Sequence, residues 1–146
     1  MEVYNARRRN ERPFEYSHTH RVDLDGINIL IFGGAGNLGE AFAYAAAASG
    51  ARVALADVPP RERERRTAFL EHTEQIAANV ADLAGGSAPP VFFGSITDYA
   101  EAEKVTQAAA EALGSIDVGI DCAGVHHRPF DLLADDPADL VADFRR

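Results

Sequence analysis

The sequence predicts an α/β fold, a doubly wound parallel sheet of about four strands, on three observations. Four short apolar runs, residues 27–32, 52–56, 90–94 and 116–120, alternate with longer stretches of helical character. Glycines, prolines or a capping aspartate stand at the boundaries between them. Connections of helix length between successive strands make crossovers, which leave the strands parallel and the sheet covered on both faces.

Each element follows from its own residues. Ile27-Asn28-Ile29-Leu30-Ile31-Phe32 is short, apolar and β-branched, with Gly26 before it and Gly33-Gly34 after it, as a buried strand requires. Residues 38–49 are rich in alanine and read as a helix closed by Gly50. Arg52-Val53-Ala54-Leu55-Ala56 is the second strand and ends at Asp57; Pro59-Pro60 then marks a turn. A charged helix is expected over residues 61–83, stopped by Gly85-Gly86. Its Arg61-Glu62-Arg63-Glu64-Arg65-Arg66 run mixes signs and reads as a solvated helix face. Residues 90–94 form the third strand, and Asp98 can cap a helix reaching Leu113, with Gly114 as its stop. Residues 116–120 form the fourth strand. A loop runs from Ala123-Gly124 through Pro129, and a last short helix is expected near Pro137.

Composition narrows the function. A chain of 146 residues with 47% hydrophobic and 25% charged residues has the length of one domain and can bury a core without disulfides or metals. The 14 Lys and Arg against 23 Asp and Glu leave a net charge of −9, which argues against a general nucleic-acid binder. A single cysteine, Cys122, cannot form an intramolecular disulfide and fits a reducing compartment. No apolar run approaches the ~18 residues of a membrane span, and the N-terminus has no apolar signal core, so a soluble cytoplasmic protein is expected. Residues 1–21 carry five arginines without apolar periodicity and read as a flexible basic leader or a tail lying on the surface. The domain proper is then residues 22–146.

The chemistry is concentrated in Gly33-Gly34-Ala35-Gly36-Asn37-Leu38-Gly39, between the first strand and the first helix. Glycines there turn the chain tightly and let backbone N–H groups approach a diphosphate, and the helix N-terminus offers further free donors. Gly39 would let the helix lie close to the strand, and Asn37 can take a left-handed conformation. A tight turn without a ligand would use the same glycines. Asp57 adds to the case: it ends the second strand at about the ~20-residue distance expected of an acid that accepts hydrogen bonds from the adenosine ribose. A carboxylate there repels the extra phosphate of NADP, so NAD is the expected cofactor. Arg52 and Arg61, close in sequence, keep NADP open.

At these residues the chain resembles the short-chain dehydrogenase/reductase family from about Val22 onward. The resemblance rests on the glycine string, Asp57, Ser95-Ile96-Thr97-Asp98 after the third strand, and Gly114-Ser115-Ile116-Asp117-Val118-Gly119-Ile120-Asp121-Cys122-Ala123-Gly124 across the fourth. It implies a Rossmann-like sheet, incomplete here, of order 3-2-1-4, and an NAD(P)-dependent oxidoreductase. It implies cofactor contacts from Gly33, Gly36, Asn37, Leu38, Gly39, Asp57, Ile96, Asp98, Cys122, Ala123 and Gly124. Ile96 would line the adenine pocket with Asp98 beside the ring, and Cys122-Ala123-Gly124 would lie beside the cofactor. The glycine spacing is Gly-x-x-Gly-x-x-Gly, closer to the family's extended and atypical branches. Phe32 stands where threonine is usual, and Asp121 and Cys122 where two asparagines are.

The family's catalytic residues, an Asn, a Ser and a Tyr-x-x-x-Lys pair, would follow further along. Tyr99 and Lys104 are no substitute: five residues apart on a helix, they diverge by about 140°. The 146 residues are therefore expected to hold the dinucleotide-binding half, inactive alone, with no catalytic residue assigned. The alternatives are a non-catalytic dinucleotide-binding or redox-sensing module and a decayed remnant. A second copy or a complementary chain is expected to cover the fourth strand's edge. His126-His127 have no partners at metal-ligand spacing, Cys122 reads as a small buried residue, and Phe130, Leu132 and Leu133 are expected to cover the sheet edge.

Overall fold

The computed structural model describes residues 22–124. The basic leader, His126-His127, Phe130, Leu132, Leu133 and the helix expected near Pro137 lie outside the described residues. Seven elements alternate: β1 (Asn28–Phe32), α1 (Asn37–Ala48), β2 (Arg52–Asp57), α2 (Arg63–Ala84), β3 (Val91–Phe93), α3 (Tyr99–Leu113) and β4 (Val118–Asp121). The four strands form one parallel sheet in the order β3-β2-β1-β4, as the sequence predicts.

The alternation of strand side chains divides the core into two layers. Ile29 and Ile31 of β1, with Val53 and Leu55 of β2, face a layer completed by Ala43, Tyr44, Ala46 and Ala47 of α1 and by Ile76 and Val80 of α2. Leu30, Ala54 and Ala56 face the opposite layer, completed by Val105, Ala109 and Leu113 of α3. Buried on both sides, the two central strands need apolar residues at nearly every position, which explains their continuous apolar runs. The helices pattern differently. Among the 22 residues of α2 the buried ones are Thr73, Ile76, Ala77 and Val80, one stripe at helical spacing flanked by half-buried Phe69, Leu70, Asn79 and Ala81, and its charged residues are exposed.

The boundaries agree with the expected ones at α3 and move slightly elsewhere. α2 begins at Arg63 rather than residue 61, because Glu62, in an extended conformation, is its N-cap. β4 spans Val118–Asp121 rather than 116–120. Asp117 N–H donates to Asn28 O at 2.9 Å and the Asp117 carboxylate accepts from Asn28 N–H at 2.8 Å, and these two bonds start the β1–β4 pairing that Ile29↔Val118 continues. Ile116 is thereby left to pack beneath α3 rather than join the ladder.

Among the described residues, β3 and β4 are the two edges of the sheet. Both helical crossovers β1-α1-β2 and β2-α2-β3 run toward one edge, and α3 carries the chain back across β2 and β1 to place β4 on the other. The direction of winding therefore reverses between β1 and β4, and the crevice beyond the strand ends at such a reversal is where open α/β sheets bind ligands.

Candidate functional site

The reversal point is built by the glycine loop. Gly33 has φ +71, a left-handed conformation that a side chain disfavours, and a Cβ there would lie 2.6 Å from the carbonyl carbon of Cys122 and 2.7 Å from the nitrogen of Ala123. The start of the loop and the end of β4 are thus in backbone contact, and Cys122 N–H donates to Phe32 O at 2.9 Å beside it. Gly39, the third residue of α1, is buried, and a Cβ there would overlap the carbonyl oxygen of Gly33 and come within 2.7 Å of Gly34 Cα. This close approach seats the N-terminus of α1 on the loop. Gly36 is the N-cap, at φ −80 and ψ 164, a conformation open to any residue.

Asn37 corrects the sequence reading. It is the first residue of α1, and among the described residues no non-glycine residue has positive φ. Gly33 already makes the left-handed turn, so the loop asks for none at Asn37. Asn37 and Leu38 are solvent-exposed, Leu38 at 66%. The first intrahelical bond at this end is Glu40 N–H to Gly36 O at 2.8 Å, and no side chain caps the helix. The N–H groups of Asn37, Leu38 and Gly39 are the orphan donors of a helix start, next to a surface kept free of side-chain bulk at Gly36. The donors and the glycine cradle fit a diphosphate.

Asp57 lies at the end of β2 and is bonded to the loop. Its Oδ2 accepts from Ala35 N–H at 2.8 Å and its Oδ1 from Val58 N–H at 2.7 Å. Each carboxylate oxygen keeps a lone pair for a further donor. The Ala35 bond is the feature the sequence reading missed; spacing places an acid at a strand end but does not say that its carboxylate turns back to the loop. Arg52 is removed from the phosphate question. It begins β2, at the opposite end of the strand from Asp57, and its guanidinium donates to Leu113 O at 2.6 Å and to Ala112 O at 3.4 Å. Arg61 is exposed in the turn after β2.

The remaining predicted residues are less closely joined. Asp98 caps α3, its Oδ1 accepting from Ala100 N–H at 2.9 Å and from Glu101 N–H at 3.1 Å. Ile96 is half-buried between Ser95 and Thr97, whose hydroxyls bond each other at 2.8 Å. Asp121 accepts from Ala123 N–H at 2.8 Å, so the carboxylate at this departure from the family pattern is satisfied within its own turn. Cys122 is half-buried rather than buried. Burial, and then the neighbouring charge of Asp121, push its thiol pKa up, which keeps it protonated and a poor nucleophile. A Cβ at Gly124 would meet no atom of the described residues within 4 Å. Tyr99 and Lys104 are both exposed on α3, as expected of a helix-start residue and a surface charge. Among the described residues no group of three or more His, Cys, Asp or Glu could hold a metal, and no helix is long and apolar enough to cross a membrane.

Residues 28–143 match the family model described as short chain dehydrogenase. A short chain dehydrogenase/reductase, dpmpG of Macrophomina phaseolina, is 39% identical over 84 residues, covering 56% of this chain and 47% of that protein. Among solved structures, levodione reductase superposes with TM-score 0.65 at 26% identity, over 82% of this chain and 43% of its own. NADH-dependent reductase A1-R', solved with NAD bound, superposes with TM-score 0.59 at 27% identity, over 83% and 46%. A short-chain type dehydrogenase/reductase from Mycobacterium marinum shares the fold with TM-score 0.61 at 22% identity. The chain spans somewhat less than half the length of each of these relatives.

Proposed function

This chain belongs to the short-chain dehydrogenase family, and on that footing we propose that it binds NAD at the glycine-loop edge of the sheet, as the cofactor half of an NAD-dependent oxidoreductase. The observation that carries the reading is the uncapped N-terminus of α1, set on Gly33 and Gly39 and joined through Ala35 to the Asp57 carboxylate. The N–H groups of Asn37, Leu38 and Gly39 take the diphosphate, with Gly36 leaving room for it. Asp57 accepts from the hydroxyls of the adenosine ribose. Ile96 and Asp98 border the adenine, and Cys122, Ala123 and Gly124 border the nicotinamide side.

Two features favour NAD over NADP. The Asp57 carboxylate opposes a phosphate on the same ribose, and Arg52 is committed to the end of α3. Bound NAD supplies or accepts the hydride. This chain's own residues bind and orient the dinucleotide; none of the 146 forms the Tyr-x-x-x-Lys arrangement that would move the substrate's proton. Turnover is therefore assigned to the protein together with a complementary half that covers the β4 edge, on the same polypeptide or on a partner. A non-catalytic dinucleotide-binding module is the second reading, favoured by the same missing pair.

Titration of the 146-residue chain with NADH, followed by the cofactor's fluorescence, tests the reading. Saturable binding is expected, about tenfold or more tighter than NADPH, and Gly36→Val is expected to abolish it while leaving the circular dichroism unchanged. Absence of saturation at millimolar NADH would overturn the proposal. Reproducible substrate turnover by the pure chain would overturn the assignment of catalysis to a complementary half.

A further inference from the structure

The glycine loop is held by three successive N–H groups, and they are held differently. Gly34 N–H donates to Ala56 O at 3.0 Å and Gly36 N–H to Gly33 O at 3.0 Å, both backbone acceptors that no substitution removes. Ala35 N–H, between them, donates to a side chain, Asp57 Oδ2, at 2.8 Å. The other oxygen of the same carboxylate takes Val58 N–H at 2.7 Å, so the side chain is fixed at both of its ends. Ala35 is half-buried, and loss of Asp57 removes the acceptor that its N–H has among the described residues, at a cost that favours a rearranged loop.

We propose that Asp57 is a latch on the glycine loop, a positioning residue for the phosphate cradle as well as the group that meets the ribose. The two roles share one carboxylate. Replacing it with a small neutral residue, which removes the charge opposed to a phosphorylated ribose, also releases Ala35, the one residue of the three whose N–H no backbone carbonyl holds. Cofactor class and loop shape are thereby coupled: the acid cannot be removed to admit NADP without loosening the site that holds the diphosphate common to both cofactors. The proposal rests on the dinucleotide reading for its ligand, while the latch itself is a property of the chain alone.

Amide hydrogen exchange on the 146-residue chain, resolved by NMR, separates the two. In Asp57→Ala the Ala35 amide is expected to exchange about tenfold faster, the loss of one charge-assisted hydrogen bond, while Leu30, Ile31 and Leu55 in the core keep their protection. Affinity for inorganic pyrophosphate, which has no ribose, is expected to fall several-fold, and NADPH affinity not to rise. Asp57→Asn, whose amide oxygen can still accept from Ala35, is expected to retain most of the protection and of the pyrophosphate affinity. An Ala35 amide that exchanges at the same rate in wild type and Asp57→Ala would overturn the latch, as would unchanged pyrophosphate affinity with a gain in NADPH. Should Asp57→Ala fail to fold, Asp57→Ser, with a hydroxyl too short to span both amides, carries the same comparison against Asp57→Asn. If wild type binds neither NADH nor pyrophosphate, the dinucleotide reading fails, and the exchange rates still decide the latch.

Discussion

Gly39 lies against the carbonyl oxygen of Gly33 so closely that no side chain fits between them. The contact involves backbone on one side and a helix on the other, so neither can move aside cheaply. Gly39→Ala is therefore expected to cost about 3 kcal/mol of stability in urea unfolding. Gly36→Ala, whose new Cβ would meet only Gly33 O at 3.2 Å, is expected to cost about 1 kcal/mol or less. Equal losses for the two would show that the helix is not seated through Gly39.

Tyr44 joins α1 to α2. It is 8% exposed, and its hydroxyl accepts from Asn79 Nδ2 at 2.9 Å. Burial above all, with the Glu40 carboxylate adding to it and the Asn79 bond working against it, pushes its pKa from 10.0 up to about 12. The folded state thus holds the phenol proton more tightly than the unfolded chain does. The stability tied to it is complete below pH 10 and is lost as pH rises toward 12, on the order of 2 kcal/mol. Tyr44→Phe is expected to remove that part of the alkaline decline and to cost about 1 kcal/mol at neutral pH, where Asn79 loses an acceptor. Parallel stability curves for the two proteins above pH 10 would contradict the assignment.

Arg52 supplies the positive charge that α3 lacks in its own last turn. Arg52→Met keeps the aliphatic stem and removes the donors to Leu113 O and Ala112 O. It is expected to cost about 1 kcal/mol and to raise amide exchange in the last turn of α3. Because Arg52 sits at the opposite end of β2 from Asp57, NADH and NADPH affinities are expected to be unchanged; a selective loss of NADPH binding would contradict that placement.

Asn28 is buried at 7% exposure, with Nδ2 donating to Ser115 Oγ at 2.8 Å and Oδ1 without a partner among the described residues. An orphaned buried acceptor costs about as much as one hydrogen bond returns. Asn28→Val, close in volume and suited to a strand, is expected to change stability by less than about 1 kcal/mol, because the loss at Nδ2 is offset by removal of Oδ1. A thermal melt showing a large loss would mean that Oδ1 is satisfied by an ordered water.

The architecture was legible because its cause is local. Ile29, Leu30 and Ile31 are apolar in succession because β1 is buried on both faces, and a strand of that kind followed by glycines and a helix has few alternatives. The joint placement of the glycine string and Asp57 was legible for the same reason, since both lie at strand ends. What escaped were long-range uses of ordinary polar residues. Asp117 reads as part of a strand, and only its bond to Asn28 shows that it sets where β4 begins. Asn37 reads as a left-handed turn residue, and only the conformation of Gly33 shows that the turn is already made. Asp57 reads as a ribose acid, and only the position of Ala35 N–H shows what it holds.

The seam between β1 and β4 joins residues far apart in the order of synthesis. Asn28 and Asp117 are separated by 89 positions. At translation rates of ~5–20 residues per second, β1 waits roughly 5–20 s on the ribosome before its second neighbour exists. During that interval one side of a strand that carries the apolar run Ile29-Leu30-Ile31-Phe32 stands unpaired, the condition under which nascent chains stick to one another. The order that buries β1 most deeply in the finished sheet is thus also the order that exposes it longest while the chain is being made.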